Sequence, residues 1–170
     1  MCPSRLREEI FTLLYSEKRP EVAVLRLNRI LESAPENSEA LALKSYALNK
    51  LANVSHDWKY SESALETAER ALILNPDSDI ALTSKGWALI DLGDAALAVE
   101  ALSRAVQLNP RNEYAWYNLA WAQYLTGNAA ASTESLERAL NISPGNPIIQ
   151  RGKRLMETGE LPDHLKRKPS

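Results

Sequence analysis

Apolar and small letters recur along this chain at steps of three and four: Leu82, Gly86 and Leu89 in one run, then Ala98, Leu102 and Ala105 in the next. That is the period of helices with one buried stripe. Two kinds of break punctuate the runs. Gly93-Asp94 and Gly127-Asn128 fall where glycine can close a helix in the left-handed conformation. Pro35, Pro76, Pro110 and Pro144 fall where the residue before proline is pushed out of helical angles. Two residues after each proline stand Asn37, Ser78, Asn112 and Asn146, side chains able to accept the unpaired N–H groups of a new first turn. The pattern predicts a helix, a tight turn, a second helix and a proline-marked bend, over and over.

The repetition extends to the letters. ERALILNP (69–76), SRAVQLNP (103–110) and ERALNISP (137–144) are near copies, and NRILESAP (28–35) keeps their outline. Arg29, Arg70, Arg104 and Arg138 each precede the matching proline by six residues, and the prolines are spaced by 41, 34 and 34. Small residues hold equivalent places, Ser45, Gly86 and Ala120 in the first helices and Ala71, Ala105 and Ala139 in the second, where they let paired helices come close. A single helical hairpin cannot bury its apolar face. Stacked hairpins can, so the expected fold is an all-α solenoid.

A 34-residue two-helix unit resembles the tetratricopeptide repeat (TPR), whose pattern runs W-x2-L-G-x2-Y, then A-x3-F, then P. Residues 113–146 match it at Trp116, Leu119, Ala120, Leu136, Ala139 and Pro144, and residues 79–112 at Leu82, Gly86, Leu89, Ala98, Leu102, Ala105 and Pro110. Lys44 and Lys85 depart from it where leucine is usual, Gln123 where tyrosine is, and Ser132 where alanine is. The resemblance implies one array over 1–158: a degenerate unit 4–37, with bulky Phe11 at a small-residue place and Pro20 opening its second helix, an enlarged unit 38–78, and regular units 79–112 and 113–146. A capping helix over 147–158 closes the array and turns Arg151, Lys153 and Arg154 to water. A basic tail, 159–170, follows. The seven extra residues of the second unit lie in ANVSHDWKYS (52–61). They either lengthen each helix by about a turn, lifting His56, Asp57 and Trp58, or form a loop with Trp58 folded back on the core.

Composition narrows the function by exclusion. The chain has 170 residues, 45% of them apolar and 25% charged, the balance of a globular protein. A formal charge of −2 supplies no basic field for a phosphate backbone, so nucleic acid is not an expected partner. One cysteine, Cys2, builds no disulfide framework, and the short apolar cluster IFTLLY, followed by SEKR, is neither a signal peptide nor a membrane span. Together these point to a cytoplasmic protein without membrane insertion.

No chemistry converges. His56 and Asp57 are adjacent and seldom face each other on a helix, no nucleophile motif accompanies them, and neither metal-ligand spacing nor a glycine-rich phosphate loop occurs. No enzyme activity, cofactor or metal is expected.

In the TPR family the first helices line the concave side of the superhelix. Counting from the residue after the N-cap, positions 2, 5, 6, 9, 12 and 13 share one face. They are Glu39, Ala42, Leu43, Tyr46, Asn49 and Lys50 in the second unit. In the third they are Ile80, Thr83, Ser84, Trp87, Ile90 and Asp91, and in the fourth Tyr114, Tyr117, Asn118, Trp121, Tyr124 and Leu125. Position 9 is thus aromatic three times running. On one reading Tyr46, Trp87, Ile90, Tyr114, Tyr117, Asn118, Trp121 and Tyr124 form a groove that grips apolar side chains of a partner's peptide or helix, with a Kd of roughly 1–200 μM. Trp121→Ala should then weaken binding and leave melting nearly unchanged, whereas a loss of about 3–5 kcal/mol of stability would put that ring in the core and count against the groove. On the other, the rings pack between successive first helices or beneath residues 159–170. Self-association through the array ends or the enlarged hairpin is a further possibility, giving a homo-oligomer. Family members that hold the acidic C-termini of large heat-shock chaperones use a two-carboxylate clamp of lysine, asparagine and arginine. The equivalent places here hold Ala42, Tyr46, Ser84, Tyr114 and Asn118, or Glu8, Thr12, Leu43, Ile80 and Ser84 one unit earlier, and neither set is a cationic clamp.

Overall fold

A computed structural model describes residues 3–162. Within them the chain is helical throughout: α1 (Pro3–Phe11) with a π-helical turn (Thr12–Ser16), α2 (Pro20–Ser33), α3 (Ser38–Ser55), α4 (Lys59–Leu74), α5 (Asp79–Leu92), α6 (Ala95–Leu108), α7 (Glu113–Leu125), α8 (Ala129–Ile142) and α9 (Pro147–Thr158). Consecutive helices pack as antiparallel hairpins, and α3, α5 and α7 also pack side by side, which makes the array a stacked solenoid. The basic tail expected over 159–170 lies outside the described residues from 163 onward.

The boundaries follow from local chemistry. Asn37, Ser78 and Asn112 accept the N–H of the third residue beyond at 3.0, 3.2 and 3.1 Å, and Asn146 accepts that of Ile148 at 3.0 Å. Each cap satisfies a donor that a first turn leaves unpaired. The asparagine before proline braces the bend from the other side. Asn109 accepts the Arg111 N–H at 3.2 Å and donates to Asp79 at 2.7 Å, tying the corner to the start of α5. Six residues past the prolines, Trp116 and Gln150 each return a side-chain N–H to the proline carbonyl, Pro110 at 3.0 Å and Pro144 at 2.7 Å. The recurring letters thus hold recurring corners.

Small residues set the helix spacing as expected. A Cβ on Gly86 would lie 2.3 Å from Cγ of Leu102, so α5 and α6 are in contact at a distance only glycine allows. Ser45 and Ala120 are fully buried at the matching places, as are Ala71, Ala105 and Ala139. The core runs through the stack along these contacts, with α9 sealing its end through Ile149.

The enlarged second unit gains its extra length mostly in its first helix. α3 has 18 residues against 14 in α5, about one turn more, and α4 has 16 against 14 in α6. His56 ends α3 with φ 56°, and Asp57 then accepts the Lys59 N–H at 3.0 Å to start α4. Trp58 is exposed at the tip and does not fold back on the core.

Candidate functional site

The faces of α3, α5 and α7 bring the predicted rings into one file. Tyr46 and Trp87 meet edge to face at 5.6 Å, and Trp121 meets Tyr117 at 6.5 Å and Tyr124 at 5.6 Å in the same manner. These are favoured ring geometries and they consume ring surface. Tyr46, Trp87 and Trp121 keep only 4%, 8% and 3% of their surface exposed. Tyr46 and Trp87 are therefore built into the contact between α3 and α5, while Trp121 packs against Tyr117 and Tyr124 of its own helix. Leu161, just beyond α9, joins the cluster that contains Trp121, so the chain's own end adds to that cover.

What remains open is a hollow of about 420 Å³. Trp87, Ile90, Tyr114, Tyr117, Asn118 and Trp121 all line it, so six of the eight predicted residues share one cavity. Tyr46 stands behind Trp87 and does not line it. Tyr124 faces a separate cleft of about 230 Å³ between α8 and α9, with Leu136 and Met156. A third cavity, about 630 Å³, adjoins the first: Lys50, Tyr114 and Ile148 border both, while Tyr15, Lys18 and Pro20 belong to the larger one.

Several of these residues were not singled out in the sequence. Tyr15 comes from the π-helical turn of the first hairpin and stacks on Tyr114 of the fourth, with centroids 5.3 Å apart at 24°. Its hydroxyl hydrogen-bonds that of Tyr46. Burial, then the neighbouring phenols of Tyr46 and Tyr114, raises its pKa far above that of an ordinary tyrosine, so it stays protonated. Arg151 was expected to face water; it is exposed, yet it also lines the smaller cavity, with Leu155 and Pro162. The signal for these was absent, because α9 falls outside the repeat count and the π turn shifts the register of the first unit.

Lys50 lay on the predicted concave face at position 13, four residues beyond Tyr46. Its ammonium sits 4.3 Å from the centre of the Tyr15 ring, 5.5 Å from Trp87 and 5.7 Å from Tyr114. Ring faces attract a cation, at about 0.5–2 kcal/mol each, but they replace little of its lost hydration. Burial accordingly pulls its pKa down to about 8. Among the described residues no carboxylate pairs with it. Asp91, the matching residue one unit on, takes the Ser61 hydroxyl at 3.0 Å and borders neither cavity; burial raises its carboxyl to about 7.

His56 borders the smaller cavity, but the Asp57 carboxylate is engaged in capping α4. No group of three or more His, Cys, Asp or Glu side chains gathers as a metal site among the described residues. Nor is any helix among them long and apolar enough to cross a membrane.

A family model described as Tetratricopeptide repeat matches residues 61–113 and 83–147, together more than half of the chain. The chain belongs to the tetratricopeptide repeat family. The solved structures agree on the TPR fold. MamA 41-end from Desulfovibrio magneticus RS-1 superposes with a TM-score of 0.63 at 21% identity, covering 96% of this chain and 87% of that one. TTC0263, a thermophilic TPR protein of Thermus thermophilus, gives 0.72 at 19% identity, with 92% and 81% covered. The TPR domain of Arabidopsis OM64 gives 0.59 at 18%, with 72% and 96% covered. A search of curated proteins by sequence found no match.

Proposed function

We propose that this TPR protein is a non-enzymatic adaptor or assembly factor of the cytoplasm that takes a segment of a partner protein into its concave aromatic hollow. The observation that carries this reading is the pair of adjoining cavities meeting at Lys50, Tyr114 and Ile148. Their walls combine ring faces with a few polar tips, the mixture that recognises side chains of an extended or helical peptide. The buried Trp87 and Trp121 form the floor, and the partly buried Tyr114 and Tyr117 form the contact surface.

Ile148 is the residue with which to test it, because it borders both cavities and is 40% exposed, so changing it costs little stability. Capture from the native cell with wild type, Ile148→Asp and the convex-face control Ile73→Asp should yield a partner lost only with Ile148→Asp. Equal recovery with all three contradicts the groove.

Self-association is the second reading, favoured by the exposed Val54 and Trp58 at the tip of the enlarged hairpin. Sedimentation at two concentrations decides it: a concentration-independent monomer removes this reading.

A further inference from the structure

Among the described residues, the side chains of formal charge that border the two cavities are all basic. Lys50 and Arg151 border the smaller cavity and Lys18 and Lys50 the larger; no described aspartate or glutamate borders either, although the whole chain carries a formal charge of −2. Neutral partners nearby include the Asn118 and Asn53 carboxamides and the phenol of Tyr114. Lys50 is the centre of this arrangement. Its three N–H donors lie among ring faces, which attract charge but offer no lone pair in line with an N–H.

From these observations we infer that the bound segment carries an internal aspartate or glutamate whose side-chain carboxylate docks on the Lys50 ammonium where the two cavities meet, with apolar residues on either side of it. This rests on the concave hollow being the partner site. A carboxylate there gives Lys50 the charge-assisted hydrogen bond that its rings do not, in surroundings dry enough to make it strong. Its place decides which carboxylate. Lys50 stands at the junction of two cavities and not at a blind end, so a segment lying along both presents a side chain to it, and a chain terminus would leave one cavity empty. Lys50 also stands outside the places of the two-carboxylate clamp, in the second half of α3.

The test uses the full chain and three fluorescein-labelled decapeptide pools degenerate in apolar residues. The first has a central Glu and an amidated C-terminus, the second a central Gln and an amidated C-terminus, the third a central Gln and a free C-terminal carboxylate. Anisotropy should show wild type binding the Glu pool at least tenfold more tightly than either Gln pool. Lys50→Met, which removes the charge and keeps much of the stem, should abolish the preference, with a melting curve showing that it is folded; Lys50→Arg should keep part of it. Preference for the free-terminus pool, or a Glu preference that survives Lys50→Met, overturns the inference. Equal binding of all three pools overturns it and leaves the groove standing, whereas binding by none overturns the groove reading and the inference with it.

Discussion

Tyr15 of the first hairpin stacks on Tyr114 of the fourth at 5.3 Å, a contact between units that are not neighbours in the array. A solenoid in which each unit touches only the next is open and additive. Here the stack, with the Tyr15–Tyr46 hydroxyl bond, bridges the hollow and couples distant hairpins. A double-mutant cycle on Tyr15→Ala and Tyr114→Ala, read by urea unfolding, should return a coupling of about 0.5–1.5 kcal/mol. Strict additivity would mean that the bridge does not hold the units together.

Trp121 is 3% exposed, wedged between Tyr117 and Tyr124. Trp121→Ala should therefore cost about 3–5 kcal/mol of stability, the range for deleting a buried indole. This replaces the expectation of an almost unchanged melting point. A loss below about 1 kcal/mol in chemical denaturation would put the ring in the groove and not in its floor.

Gly86 and Leu102 leave no room for one more carbon: the added Cβ would lie 2.3 Å from Cγ of Leu102. Alanine gains about 1 kcal/mol of helix propensity, so a net loss of about 1–3 kcal/mol in Gly86→Ala isolates the packing penalty. Leu102→Val in the same chain should return part of it.

Burial holds the Lys50 pKa at about 8 against an ordinary 10.5, so between those values the folded chain binds fewer protons than the unfolded one. Stability must then rise with pH in that window, with the penalty at full size below about pH 8. From about pH 7.5 to about pH 9.5 the gain should reach about 1–2 kcal/mol, and Lys50→Met should flatten that rise and be the more stable protein near neutral pH. Above that range Tyr15 and Tyr46, whose hydroxyls burial keeps protonated in the folded chain, begin to matter, so the comparison stops there. A rise identical in both proteins would assign it to other groups.

The fold was legible because its signals are local. Asparagine or serine two residues after proline caps the next helix, and glycine or alanine at the close contacts sets the spacing, and both read directly from letters at fixed intervals. That some of these residues share a face was legible for the same reason: Trp87, Tyr114, Tyr117, Asn118 and Trp121 line one cavity. How much of each ring stays open was not legible. Helical spacing says which way a side chain points, not what arrives to cover it. Tyr15 arrives through a π turn that breaks the register, and Leu161 through a chain end with no repeat to place it. Lys50 shows the limit most clearly, since its face could be counted but its three rings come from three different hairpins.

Site-directed photocrosslinking tests the central claim most directly: p-benzoylphenylalanine is placed at Ile148, which borders both cavities, or at Ile73, 79% exposed, and irradiated with the captured partner. The account predicts a crosslink from position 148 alone, mapping to one segment of the partner that contains an acidic side chain between apolar ones. Crosslinks from position 73 alone, or from both alike, would contradict it.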